Sequence, residues 1–264
     1  IVPFAPGGST DIIARLIAED MSRSLGQSVV VENRPSAGAT LGTGLVARAA
    51  PDGYTLLISV ISALAVGQTL YRDRIGWDAD RSFAHVAMLM GTPYLLLVGP
   101  RQPWRSLAEF VAAARAAPER IAYGTSGVGS MPHLVALRFS EAAGIRLTHV
   151  PYRGGAQAST DLIAGVLPSI IDSLTAASAN IRAGSQRALV HSYPDRIAGF
   201  DDIPSFRELG YPDLVVDGWA GLAAPAGTPR PVLERLAAAA RAALGAEPVR
   251  RRYADTATTP GRLF

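Results

Sequence analysis

Two turns rich in glycine and hydroxyl-bearing residues hold the chemistry that this sequence offers. The first reads Pro3-Phe4-Ala5-Pro6-Gly7-Gly8-Ser9-Thr10-Asp11 and runs into the helical spacing Ile12, Ile13, Leu16, Ile17. The second reads Gly124-Thr125-Ser126-Gly127-Val128-Gly129-Ser130 and runs into Pro132, His133, Leu134 and Leu137. The first N–H groups of a helix have no intrahelical acceptor, and the helix dipole places positive potential at the same end. A turn of this kind suits an anion such as a carboxylate without any charged side chain. Either turn alone is equally a tight strand-to-helix connection. Two of them, in distant parts of one chain, point to one site assembled from two halves.

Catalytic motifs come close and then fail at positions their mechanisms need. Gly124-Thr125-Ser126-Gly127-Val128 departs from the nucleophile elbow at its last glycine. Gly127-Val128-Gly129-Ser130-Met131-Pro132 opens like a dinucleotide fingerprint and ends in proline. The chain has no lysine, which excludes a Walker-type phosphate loop. It has no cysteine, which removes disulfides, thiolate metal sites and cysteine nucleophiles. The histidines His85, His133, His149 and His191 show no metal-ligand spacing, so neither metal nor cofactor is expected. His133 could serve Ser126 or Ser130 as a general base, and an α/β hydrolase is therefore the alternative reading. A histidine at a helix start more often bonds its own loop. His149 and His191 lie in apolar strands and read as satisfied core or interface residues. Asp11 is explained as well by charge at a helix N-terminus as by ligand contact. Asp172 ends the run Leu167–Ile171 at a strand's carboxyl end, where it can face a ligand. The sequence reads as a binding protein and not an enzyme.

These turns need a scaffold to position them. At 264 residues, 48% hydrophobic and 18% charged, the chain can bury a sizeable core in one large domain or two lobes. The net charge is only +3, and Arg250, Arg251 and Arg252 read as a solvated helix face, so nucleic acid is not expected as a partner. No stretch approaches the ~20 apolar residues that span a membrane. The chain opens inside a strand-like segment, Ile1-Val2-Pro3-Phe4, and the signal peptide of an exported protein is expected to lie outside it.

Strand-like runs fall at Ser28–Glu32, Gly53–Val60, Tyr94–Val98, Ile121–Gly124, Leu147–Val150, Val166–Ile171, Arg187–His191 and Gly218–Ala223. Amphipathic helices are expected over Asp11–Leu25, Leu107–Ala116, Pro132–Ala143, Gln157–Ala164 and Pro231–Leu244. Ser106-Leu107-Ala108-Glu109 is a capping box. Apolar strands alternating with helices predict a parallel-rich α/β sheet covered on both faces. Two strands look like crossings, near residues 94–99 and 216–224. They divide the chain into one discontinuous lobe (1–95 with 218–264) and a second lobe (96–217), each carrying one turn. A ligand cleft between them is expected, since α/β proteins bind at the carboxyl ends of strands.

Longer stretches carry a resemblance. They are Pro3–Gly8 with Asp11, Gly26-Gln27-Ser28-Val29-Val30-Val31-Glu32-Asn33-Arg34-Pro35, and Pro51-Asp52-Gly53-Tyr54-Thr55-Leu56-Leu57. Ser126–Ser130 with His133-Leu134, His149–Gly154, Asp161–Gly165, Gly218-Trp219 and Ala224–Pro229 continue it. Together they resemble the Bug-type (TctC-like) solute-binding receptors of tripartite tricarboxylate transporters, over essentially the whole chain and in order. The resemblance implies a two-lobed periplasmic binding protein fold, type II-like, and a monomer in the periplasm. It also implies a small carboxylate ligand (amino-acid, di- or tricarboxylic, or aromatic) handed to integral membrane transporter subunits. It assigns ligand binding to Phe4, Gly7, Gly8, Ser9, Thr10 and Asp11 on one lobe. On the other it assigns Thr125, Ser126, Gly127, Gly129, Ser130 and His133. Ser59 and Asp172 are expected as further liners. Two departures stand out: Ser36 and Ala39 replace glycines of the family's Asn-Arg-Pro-Gly-Ala-Gly-Gly, and Val190-His191-Ser192-Tyr193 replaces an alanine-valine-threonine strand.

Overall fold

The computed structural model describes residues 1–261, and their chain forms two compact units. The first is Ile1–Gly91 together with the chain from Trp219 onward, and the second is Thr92–Gly218. It opens with helix α1 (Ser9–Leu25), which buries Ile13, Ala14, Ile17, Ala18 and Met21, a stripe at helical spacing. Gly26 ends it in the left-handed conformation (φ 67°), its N–H bonding the Ser22 carbonyl. Helix α2 (Thr40–Ala47) follows, then strand β1 (Leu57–Val60). A π-helical turn at Ser62–Gly67 runs into the short helix α3 (Gln68–Leu70). Strand β2 (Phe83–Val98) is long enough to begin in the first unit and end in the second.

The second unit continues with α4 (Leu107–Ala116), β3 (Ala122–Thr125), α5 (Met131–Ala143), β4 (Thr148–Pro151), α6 (Gly155–Ala164), β5 (Ser169–Ser173), α7 (Leu174–Arg182) and β6 (Arg187–His191). The Ser106 hydroxyl accepts from the Glu109 amide at 3.2 Å, while the Glu109 carboxylate takes the Arg105 N–H. The box thus closes with a neighbouring donor. β3 runs parallel to β4 and β5, whereas β2 is antiparallel to β5 and β6. Phe110, Phe139 and Phe206 are fully buried at the centre of this unit. Removing any one of these rings costs roughly 3–5 kcal/mol.

Strand β7 (Asp217–Pro225) carries the chain back into the first unit, where α8 (Arg230–Gly245), α9 (Glu247–Asp255) and β8 (Thr259–Pro260) complete it. There β1 pairs antiparallel with β7, and β2 pairs antiparallel with β8. Helix α8 packs on α1 through small residues: Ala239, Ala240 and Ala243 are buried, so the two backbones can approach closely. Arg250 and Arg251 lie exposed on α9.

Two expectations are corrected. The sheet is mixed, not parallel-rich, because returns such as β7 against β1 place antiparallel neighbours where the alternation of helix and strand suggested crossovers. Ser28–Glu32 is extended but builds no ladder; its end joins only an isolated parallel bridge of Val2 with Asn33. Helices α2 and α7 were not signalled by the pattern, whereas Arg250–Arg252 lie on a helix, α9, as expected. α2 (TLGTGLVA) carries two glycines inside it, a composition that argues against a helix.

Candidate functional site

In the first turn, Asp11 is the organising side chain. Its carboxylate accepts from the Gly7 N–H at 2.9 Å, from Asn33 Nδ2 at 2.9 Å and from Arg15 Nε at 3.1 Å. Asn33 also donates to the Phe4 carbonyl at 3.1 Å, which ties the turn to the segment after Glu32. Burial pushes the Asp11 pKa up, but hydrogen bonds from Arg15, Gly7 and Asn33 outweigh it and hold the carboxyl below its ordinary range. Gly7 stands at φ 86°, a conformation that glycine adopts without a Cβ penalty. Gly8 caps α1 in extended geometry, with no side-chain cap and nothing within 4 Å of where a Cβ would lie. The amides of Ser9 and Thr10, and their hydroxyls, take no protein partner among the described residues. Asp11 thus acts as a clamp, and the amides of Gly8, Ser9 and Thr10 are left without a protein acceptor among the described residues.

The second turn bonds largely to itself. Thr125 Oγ1 accepts from the Gly127 N–H at 3.2 Å and lies 2.7 Å from His149 Nε2. Ser130 Oγ donates to the Gly127 carbonyl at 2.7 Å, and the Ser130 N–H reaches the same oxygen at 3.2 Å. The Gly129 N–H approaches His133 Nδ1 at 3.4 Å. Gly127 (φ 119°) and Gly129 (φ 78°) both need conformations open to glycine, and a Cβ on Gly127 would lie 3.1 Å from the Tyr152 carbonyl. The expectation that this turn offers many free N–H groups is therefore narrowed. Ser126, half-buried, keeps its N–H and hydroxyl free of protein partners among the described residues.

His149, read from sequence as a core residue, belongs to this turn. Its ring stacks on His133 with centroids 4.2 Å apart and on Tyr123 at 5.0 Å. Burial, with the His133 ring beside it, pushes its pKa down to about 4, so it is neutral at physiological pH. Burial lowers His133 as well. The signal was present in the register: Tyr123 pairs with His149 across β3 and β4, one layer below the turn.

Asp172 is the penultimate residue of β5, which runs parallel to β3. The parallel register of β3 with β5 runs to Gly124 opposite Ile170, two residues before Asp172. Asp172 is 7% exposed, and burial pushes its carboxyl up to about 6. Ser59 is buried in β1 opposite Gly221, where a Cβ would meet the Ser59 hydroxyl at 2.8 Å. His191 is buried, with Nδ1 accepting from the Tyr193 N–H at 3.2 Å and the Ile203 backbone as a further hydrogen-bond partner of the ring. A cavity of about 610 Å³ lies in the first unit beneath α1, lined by residues such as Ile17, Met21, Val29, Val31, Leu56 and Leu236. Its walls are mainly apolar and exclude the Gly7–Thr10 turn, so it does not suit a carboxylate. Among the described residues no cluster of three metal-ligating side chains occurs.

The chain matches the family of tripartite tricarboxylate transporter family receptors (TctC) over residues 13–260 and belongs to it. It is 38% identical to BugT of Bordetella pertussis (strain Tohama I) over 261 residues, covering 98% of this chain and 80% of that one. Among solved structures it resembles the periplasmic binding protein BugD at 31% identity and TM-score 0.94, covering 98% of this chain and 86% of that one. It also resembles MatC of Rhodopseudomonas palustris with bound malate, at 34% identity and TM-score 0.93, covering 98% and 88%. An R. palustris protein solved with adipate matches at 33% identity and TM-score 0.93, covering 99% and 87%. The fold is that of the periplasmic binding proteins. The family and these neighbours are solute-binding receptors, not enzymes, and the hydrolase alternative falls. No helix among the described residues is long and apolar enough to cross a membrane.

Proposed function

We propose that this receptor captures a small carboxylate in the periplasm and presents it to the integral membrane subunits of its transporter, acting as a monomer. The observation that carries the reading is the bare N-terminus of α1. Gly8 caps it without a side chain, space lies open above it, and the Ser9 and Thr10 amides have no acceptor. Helix-end amides and dipole favour an anion there. Malate and adipate in two relatives are both carboxylates, which supports the same class of ligand. On this reading Phe4, Gly7 and Asp11 shape the first turn, while Gly8, Ser9 and Thr10 donate to the ligand. Thr125, Gly127, Gly129, Ser130 and His133 shape the second turn, where Ser126 donates, and Ser59 and Asp172 are further liners. The two turns are read as halves of one site, with bending at the crossings in β2 and β7 on capture.

A thermal-shift screen against a carboxylate library tests this. An acid at a hundred times its Kd should stabilise the protein by about 2.7 kcal/mol. A library without a single stabilising acid overturns the reading. Small-angle scattering with and without the hit then tests the bending.

A further inference from the structure

The second unit holds a buried carboxylate that no cation answers. Asp172 takes one hydrogen bond from the described residues, from the Ser173 N–H to Oδ1 at 2.8 Å. None of the described ion pairs includes it, and burial raises its carboxyl against the opposing pull of the Ser173 N–H and hydroxyl. Beside it the Ser173 hydroxyl is buried and, with the Ser173 N–H, favours the charged form of the carboxylate. The carboxylate rests on the bare Cα of Gly155, the first residue of α6, where a Cβ would stand 2.8 Å from Oδ2 and 2.9 Å from Oδ1. A glycine there leaves room for the acid, and among the described residues the amide that donates to it is that of Ser173, not one of α6. A structural cap would be bonded by that helix. Asp172 instead lies two residues beyond Ile170, which pairs with Gly124 near the end of the parallel strand β3, the strand that leads into the Ser126 turn.

We propose that Asp172 and the Ser173 hydroxyl form a donor-reading subsite, which accepts the hydroxyl or ammonium group of a substituted acid whose carboxylate the receptor holds. This rests on the carboxylate reading above and deepens it. An uncompensated buried acceptor is costly. A ligand bringing its own donor relieves that cost, whereas a ligand bringing a second carboxylate to the same spot adds repulsion. The subsite therefore selects hydroxy and amino acids over their unsubstituted counterparts. A charge-assisted hydrogen bond of this kind is worth roughly tenfold or more in affinity.

Calorimetry at pH 7.5 on two matched series tests it: succinate against malate and aspartate, and phenylacetate against mandelate. The wild-type receptor should prefer the substituted member of at least one series by about tenfold. Asp172→Asn should bind aspartate at least tenfold more weakly and lower the preference for aspartate over succinate by a similar factor. Ser173→Ala should erode the same preference without lowering the melting temperature. The wild-type preference needs no variant, so a misfolded Asp172→Asn does not shield the idea. Equal binding of substituted and unsubstituted acids removes the subsite and leaves the carboxylate reading intact. Binding of no acid in either series overturns both.

Discussion

The two turns solve one problem by different means. The first is held by a side chain: Asp11 gathers the Gly7 N–H, Asn33 and Arg15, and the amides of Ser9 and Thr10 remain open. The second is held from within: the Thr125 hydroxyl, the His133 ring and the Gly127 carbonyl occupy the Gly127, Gly129 and Ser130 amides and leave Ser126. A turn clamped from outside can offer its donors to a ligand. A turn that closes on itself gains a fixed shape and loses donors. The difference teaches that a glycine-rich turn before a helix is not by itself a count of available N–H groups.

The largest expected effect lies in the first turn. Asp11→Ala removes the centre of a buried network and leaves the Gly7 N–H and the Asn33 amide without their acceptor. The loss should be about 2–4 kcal/mol in guanidinium unfolding. A loss below about 1 kcal/mol would mean that the turn holds its shape without the clamp.

The glycines separate the turns next. Gly127→Ala forces a residue with a Cβ into φ 119°, 3.1 Å from the Tyr152 carbonyl, and should cost about 1–3 kcal/mol. Gly8→Leu meets open space at an ordinary φ of −80° and should cost under about 1 kcal/mol, yet abolish ligand binding by blocking approach to the α1 amides. Unfolding and calorimetry on the pair read both effects. Similar stability losses in the two variants would erase the distinction.

Acid divides them as well. The Asp11 carboxyl, held below its ordinary range, contributes stability that is present above that range and is lost only as pH falls through it. His149, lowered to about 4, takes its proton in the unfolded chain first, so stability is lost as pH falls from 6.5 toward 4. Asp172, raised to about 6, acts with the opposite sign and gains stability as pH falls from there toward 3.8. Melting curves between pH 4 and 8 should show that Asp172→Asn stabilises more at pH 7.5 than at pH 5, by a few degrees. His149→Asn should lose less stability on acidification than the wild type. Parallel pH profiles for all three proteins would remove the assignment.

The smallest effect concerns Arg153, an exposed cation between β4 and α6. If neutral donors hold the anion, Ser126→Ala weakens binding about tenfold, whereas Arg153→Gln changes it less than about threefold. Loss of binding in Arg153→Gln with Ser126→Ala unaffected would put a salt bridge in place of the helix terminus.

The sequence by itself determined much of this. The stripe Ile13, Ile17, Met21 fixes α1, and the serine-to-glutamate spacing fixes the start of α4, because both signals are local and periodic. The glycine-rich turns around residues 7, 127 and 129 were legible, and these glycines stand at positive φ, where few other residues stand at low cost. The family was legible too, in motifs spread over the whole chain. Only the tertiary structure decided which donors stay free. Asn33 reaches the first turn from 22 residues away, and His149 reaches the second from 24, so neither bond has a signature in local spacing. Strand direction was decided at the same level, because pairing β1 with β7 joins segments whose separation no periodicity encodes. The burial that raises the Asp172 carboxyl likewise exists only once β5, α6 and β2 have packed around it.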